Sequence, residues 1–139
     1  MLKIVLDANV FASALINPHG KPAEILDYVF ENRVRLFASS SIIEELKRVL
    51  SYPKLVDRHR LQKGEIEEFI YDLLSIVALV EEGDTIEVIK EDPSDNKYLS
   101  CALKAKADFI VSGDAHLLNL GSYKGIQIVT PVRFLEMMG

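Results

Sequence analysis

Asp7, Glu45, Asp95 and Asp114 are the side chains of this sequence whose types and placement suggest chemistry. Asp7 ends the apolar run LKIVL, and the stretch reads on as IVLDANVFASALI, with Asn9 two residues later. Asp114 follows DFIVS and Gly113. Each has a plain structural role open to it, as a turn former or as the N-cap of the next helix. Several carboxylates gathered in one cleft repel one another and raise each other's pKa. A hard divalent cation relieves that repulsion. Oxygen ligands with few His or Cys residues suit Mg2+ or Mn2+ better than Zn2+. The three histidines, His19, His59 and His116, are scattered without zinc spacing and read as surface residues. Cys101, the one cysteine, lies on the apolar face of its helix and reads as core.

Glu45 and Asp95 are singled out by helical position. In SIIEELKRVL (41–50), Ile42, Ile43, Leu46, Val49 and Leu50 form one stripe at about 100° per residue. Glu44 falls nearly opposite that stripe, and Ser41-x-x-Glu44 fits a capping box. Glu45 falls at the stripe's margin, where a carboxylate can lean into a cleft. In the helix expected over 94–106, Asp95 shares a face with Tyr98, Leu99 and Ala102, while Lys97 and Lys104 are expected to point out. Asp92-Pro93-Ser94-Asp95 suits a helix start, where acids are favoured, and that accounts for Asp92. It accounts less well for an inward Asp95, since an ionised Asp on a packed face costs several kcal/mol unless paired or coordinated.

The elements that position these residues alternate between strand and helix. LKIVL (2–6), VRLFA (34–38), DFIVS (108–112) and IQIV (126–129) are short apolar runs that read as buried strands. Helices are expected from near Asn9 to 16 and over 23–32, 41–50, 65–77, 92–106, 115–120 and 130–138. Pro53 stops or kinks the third of these, and Thr130 and Pro131 open the last as N-cap and first helical position. The tail near 76–80 is a candidate strand, TIEVI (85–89) a strand or extended edge, and 51–64 a helical hairpin or a mobile arm. Strands without clean alternation indicate an α/β fold, a three-layer α/β/α sandwich around a mostly parallel sheet. Asp7 and Asp114 should then lie at the same sheet edge, beyond the carboxyl ends of their strands.

Bulk properties bound the rest. A length of 139 residues suits one domain spanning 1–139, and 49% hydrophobic with 27% charged residues suits a globular chain. One cysteine excludes an internal disulfide and fits a reducing, cytoplasmic setting. The opening MLKIVLDANV lacks a signal-peptide pattern, and no apolar run approaches the ~18 residues that span a membrane. The net charge of −5 argues against a generic nucleic-acid coat protein. It does not exclude a nuclease, because bound metal reverses the sign of a site. Between 47 and 63, Lys47, Arg48, Lys54, Arg58, Arg60 and Lys63 face Asp57 alone, a weak pointer to an anionic partner or simply a solvated helical surface.

In this order IVLDANVFASALI, ASSSIIEELKRVL, EDPSDNKYLSCALKAKADFIVSGDAHLL and IQIVTPVRFLEMM resemble a PIN domain over nearly the whole chain. DPSDN and SGDAHLL most resemble prokaryotic PIN proteins described as toxin components of toxin–antitoxin pairs, akin to VapC-like ribonucleases. The basic segment 47–63 is longer than the connection in a minimal VapC-like chain. The resemblance implies a metal-dependent endoribonuclease on an α/β/α sandwich. It maps the family's acids onto Asp7, Glu45, Asp95 and Asp114, with Asn9 and Ser112 in support, and it implies a homodimer with an antitoxin partner. The expected chemistry is Mg2+- or Mn2+-assisted hydrolysis of RNA, with Glu45 a ligand or the residue that orients water. The basic segment would hold the RNA backbone. A non-catalytic PIN-like module that binds RNA or protein is the alternative. A haloacid-dehalogenase-type phosphohydrolase ranks low, because Asn9 replaces the second Asp of its strand-end motif and no Thr/Ser-then-Lys motif follows clearly.

Overall fold

A computed structural model describes residues 1–81 and 87–139, and at His59 the backbone alone. The strands are β1 (Leu2–Leu6), β2 (Val34–Ala38), β3 (Val77–Leu79), β4 (Phe109–Val111), β5 (Ser122–Tyr123) and β6 (Ile126–Val129). They form one sheet in the order β3-β2-β1-β4-β6-β5. All pairings are parallel except β5 with β6. The helices are α1 (Ala8–Ile16), α2 (Lys21–Phe30), α3 (Ser40–Leu50), α4 (Pro53–His59), α5 (Lys63–Ile76), α6 (Asn96–Ala105), α7 (Ala115–Leu120) and α8 (Pro131–Met138). This is a three-layer α/β/α sandwich. β1 lies at its centre, and Ile4, Val5 and Leu6 are fully buried. That is why the strand is an unbroken apolar run: a parallel strand covered on both faces has no wet side to carry polar residues.

Helix boundaries follow local chemistry. Asp7 caps α1 through a bond from Val10 N, and Thr130 caps α8 through one from Arg133 N, with Pro131 at its first position. The expected strand near 76–80 is β3. The segment 51–64 holds α4, a turn in which Arg60 takes the left-handed conformation (φ 55°), and the start of α5. α5 opens with a Gln62–Glu65 capping box, whereas the box expected for α3 at Ser41–Glu44 is not formed. α3 starts one residue earlier than expected, with Ser39 as N-cap, so Ser41 and Glu44 both lie inside the helix. Glu44 pairs with Lys47 at 3.5 Å on the exposed surface.

Of the possible strand over 85–89, Thr85 and Ile86 lie outside the described residues. Glu87 to Ile89 are not a strand. Ile89 is buried, and its backbone bonds to a side chain: Ile89 N donates to Asn96 Oδ1 (2.8 Å) and Asn96 Nδ2 donates to Ile89 O (2.9 Å). Asn96 thus satisfies both backbone groups and ties the incoming chain to the start of α6. β5, two residues long, was not anticipated, since so short an edge strand carries no periodicity.

Candidate metal centre at the sheet edge

The chain runs outward from β1 through β2 to β3, then returns to the other side of β1 with β4. The carboxyl ends of β1 and β4 therefore flank the point where strand order reverses, the place where open α/β sheets bind ligands. Asp7 leaves β1 there, and its N–H donates to Val111 O at the end of β4 (3.2 Å). Its carboxylate divides its work. Oδ1 accepts from Val10 N at 2.9 Å, and Oδ2 accepts the Ser112 hydroxyl. Burial pushes the Asp7 carboxyl above its ordinary value, while bonds from Ser112 and from the backbone N–H groups of Val10, Asn9 and Gly113 pull it back.

Ser112, fully buried, is the link to the next acid. Its Oγ also accepts from Asp114 N at 2.9 Å. Asp114 caps α7, with Oδ1 accepting from His116 N (2.8 Å) and Leu117 N (3.1 Å). Beside it stands Asp95, which ends the 3-10 turn Pro93–Asp95 that Asp92 caps. Only 6% of Asp95 is exposed. Its carboxyl is pushed up to about 7, first by burial, then by the adjacent Asp114 carboxylate and the charges of Asp92 and Glu45. Its Oδ2 is buried and has no hydrogen-bond partner among the described residues. His116 Nδ1 lies 4.0 Å from that oxygen and 3.9 Å from Asp114 Oδ1.

One ligand atom each from Asp92, Asp95, Asp114 and His116 falls within 4.8 Å of the others. Bonds of about 2.1 Å reach ligand atoms up to about 4.2 Å apart, so small side-chain adjustments bring this set around one cation. The orphaned Asp95 oxygen and the mutual repulsion of three acids are what such an ion would satisfy. The residues present fit a divalent metal. Asp95 and Asp114 of the expected set are in this group. Asp7 joins it through the Ser112 bridge. Asn9 has an exposed side chain at the first turn of α1 and contributes its backbone N–H to Asp7.

Glu45 occupies a second, adjoining cluster. It leans inward as its place on α3 suggested, and its side chain is 18% exposed against 67% for Glu44. It accepts from Lys97 Nζ and from the Tyr98 hydroxyl, with Arg48 4.0 Å away. The Tyr98 hydroxyl in turn accepts from Ala8 N at 3.0 Å, the residue after Asp7. Burial and Glu45 together push the Tyr98 hydroxyl far upward, so it stays a donor. The outward direction expected for Lys97 is therefore corrected: its side chain is only 14% exposed and turns to Glu45. A helical wheel places Cα directions, whereas a lysine stem spans several ångströms and can lie along apolar surface to reach a carboxylate. Lys104 is exposed as expected.

Lys97, Tyr98, His116 and the clustering of Asp92 were the residues that sequence reasoning did not assign to the site. The available signals were Tyr98 on the same face as Asp95, and His116 two residues past Asp114. Of the basic segment, Lys47 pairs with Glu44, Arg48 lies near Glu45, and Lys54, Arg58, Arg60 and Lys63 are exposed. Lys47 and Lys63 flank a cleft of about 720 Å³ whose floor includes Val56, Ile66 and Ile70, formed by α3, α4 and α5.

Comparison with known proteins agrees with this architecture. Residues 3–116 match the PIN domain family. The uncharacterized protein MJ1680 of Methanocaldococcus jannaschii is 33% identical over 143 residues, covering 97% of this chain and 90% of that protein. The crystal structure of PAE2754 from Pyrobaculum aerophilum superposes with a TM-score of 0.64 at 16% identity, over 99% of this chain and 90% of that one. VapBC2 from Rickettsia felis, bound to a DNA fragment from their promoter, superposes with a TM-score of 0.60 at 14% identity, over 91% of this chain and 97% of that one.

Proposed function

The chain belongs to the PIN domain family, and from that premise we propose that it is a metal-dependent endoribonuclease that hydrolyses phosphodiester bonds in RNA. The observation that carries the reading is the Asp95 carboxylate. It is held beside Asp92 and Asp114 with one oxygen buried and unpartnered, an arrangement unfavourable without a cation and favourable with one. Asp7, Asp95 and Asp114 would hold Mg2+ or Mn2+, which when bound would supply Lewis acidity and charge neutralisation at phosphorus.

The protein's own residues do the rest. Ser112 fixes the separation of Asp7 and Asp114 by bonding to both. The N-cap bonds of Asp7 and Asp114 lock their rotamers before any ligand arrives, so little ordering remains to be done on binding. Glu45, near enough to raise Asp95, is the residue placed to orient water, and Lys97 and Tyr98 fix the direction of its carboxylate by donating to it. The exposed cations of 47–63 bind the RNA backbone, which makes affinity fall with salt and leaves sequence selectivity weak. A toxin role in a toxin–antitoxin pair, with a homodimer in the cytoplasm, extends the same proposal. It is supported by the resemblance of DPSDN and SGDAHLL to VapC-like proteins and by the fold shared with VapBC2. No helix among the described residues is long and apolar enough to cross a membrane.

The test is cleavage of a labelled single-stranded RNA with Mn2+ or EDTA. Wild type should cut only with metal. Asp7→Asn and Asp95→Asn should each abolish cutting, and Glu44→Gln should retain most of it. RNA binding without any cleavage by wild type would make the chain a binding module instead.

A further inference from the structure

We infer that His116 is a metal ligand of this site and sets its preference toward a first-row transition ion over Mg2+, an inference that rests on the metal-dependent reading above. The sequence pattern gave His116 no such role. In the fold its ring nitrogen Nδ1 lies 3.9 Å from Asp114 Oδ1 and 4.0 Å from Asp95 Oδ2. Two ligand atoms on one cation with bonds of about 2.1 Å lie no more than about 4.2 Å apart, and neither distance exceeds that limit.

The second observation is independent of the acids' proximity. Asp95 Oδ2 is buried with no partner among the described residues, and its side chain is 9% exposed. The imidazole nitrogen lies 4.0 Å from that atom, too far for a hydrogen bond and close enough for a shared ion. His116 is also held in place. Its N–H donates to Asp114 Oδ1 at 2.8 Å, so one carboxylate fixes the backbone from which the ring extends. The ring itself is 42% exposed, which leaves it free to turn by the roughly 1 Å that joining both carboxylates on one ion requires.

The chemical consequence follows from ligand type. Carboxylates alone suit Mg2+ and Mn2+ alike. Adding a nitrogen donor disfavours Mg2+, which takes oxygen and keeps its waters, and favours a transition ion. Asp92, whose Oδ1 is occupied by Ser94, contributes charge to the same ion.

Mn2+ and Mg2+ affinities of the full chain are measured by calorimetric titration without RNA, for wild type, His116→Ala and Asp95→Asn. Mn2+ bound to wild type is also examined by electron spin-echo spectroscopy for modulation from a coordinated nitrogen. We expect Mn2+ to bind wild type at least about tenfold more tightly than Mg2+. His116→Ala should lose about tenfold in Mn2+ affinity with Mg2+ unchanged, Asp95→Asn should lose both ions, and nitrogen modulation should be present in wild type. Equal Mn2+ affinity in wild type and His116→Ala, or no nitrogen modulation, overturns the inference. The spectroscopic result needs no variant. The nuclease reading fails separately, by absence of RNA cleavage from a protein that binds metal.

Discussion

Replacing Asp95 with Asn should stabilise the metal-free protein while destroying its metal binding. Asp95 is raised from the ordinary 3.8 to about 7. In the unfolded chain the carboxyl ionises near 3.8; in the folded chain Asp95 keeps its proton until about pH 7. Below about pH 4 both states are protonated and nothing is lost. Between about 4 and 7 the unfolded state has released a proton that the folded state keeps, so stability falls as pH rises, and above about 7 the loss levels off. At about 1.4 kcal/mol per pH unit the full effect is about 4 kcal/mol, and screening through the open side of the cleft brings it nearer 2 kcal/mol. Asparagine has no proton to lose. Because part of the loss has already occurred by pH 5, urea unfolding in EDTA at pH 5 and pH 8 should show wild type losing about 1–3 kcal/mol relative to Asp95→Asn over that interval. The slope against urea should be the same for both proteins. Comparing the two proteins removes the contribution of Asp7, whose raised carboxyl acts in the same direction in both. Millimolar Mn2+ at pH 8 should restore wild type and leave the variant unchanged, because an ion takes the place of the missing proton. Parallel pH profiles for the two proteins would refute the reasoning, since they would mean that the folded site tolerates the Asp95 charge unaided.

Three further outcomes are expected. Tyr98→Phe removes the hydroxyl that serves both Ala8 N–H and Glu45, so it should destabilise by about 2–4 kcal/mol in the same urea assay. Lys97→Met leaves Glu45 without its cation in a part-buried position. It should destabilise by about 1–3 kcal/mol, and calorimetric titration should show Mn2+ affinity unchanged or raised, because a competing cation is gone. Arg58→Ala with Arg60→Ala, both exposed, should weaken RNA binding and reduce the slope of log affinity against log salt by about 1.4, measured by fluorescence anisotropy in EDTA.

What could be read from the sequence followed the range over which each signal acts. The strands β1 and β4 declare themselves because burial on both faces forces apolar runs, β2 and β6 because their apolar runs are broken only by exposed Arg35 and Gln127, and the caps at Asp7, Asp92, Asp114 and Thr130 act within three residues. Glu45 was distinguishable from Glu44 because 100° of helix separates a margin from a wet face. Lys97 was misjudged for the converse reason: its partner is 52 residues away, and a flexible stem decides where the charge goes. The Ser112 bridge depends on β4 lying next to β1, a pairing between residues 105 apart that no local pattern encodes. His116 shows the same limit. Its spacing from Asp114 is local, yet only the position of Asp95, brought in by α6, makes it part of a cluster.

The ambiguity that remained at Asp7 and Asp114, helix cap or metal ligand, was not a choice between exclusive roles. Asp114 gives Oδ1 to two N–H groups of α7, and Asp7 gives one oxygen to Val10 and the other to Ser112. A carboxylate has about four lone-pair sites, so capping leaves acceptor capacity for an ion. Capping also does something for the site, because it removes rotamer freedom that coordination would otherwise have to remove. Asparagine caps a helix about as well as aspartate but carries no charge. Asp7→Asn and Asp114→Asn should therefore keep α1 and α7 in place while weakening metal binding, which separates the two roles of one side chain.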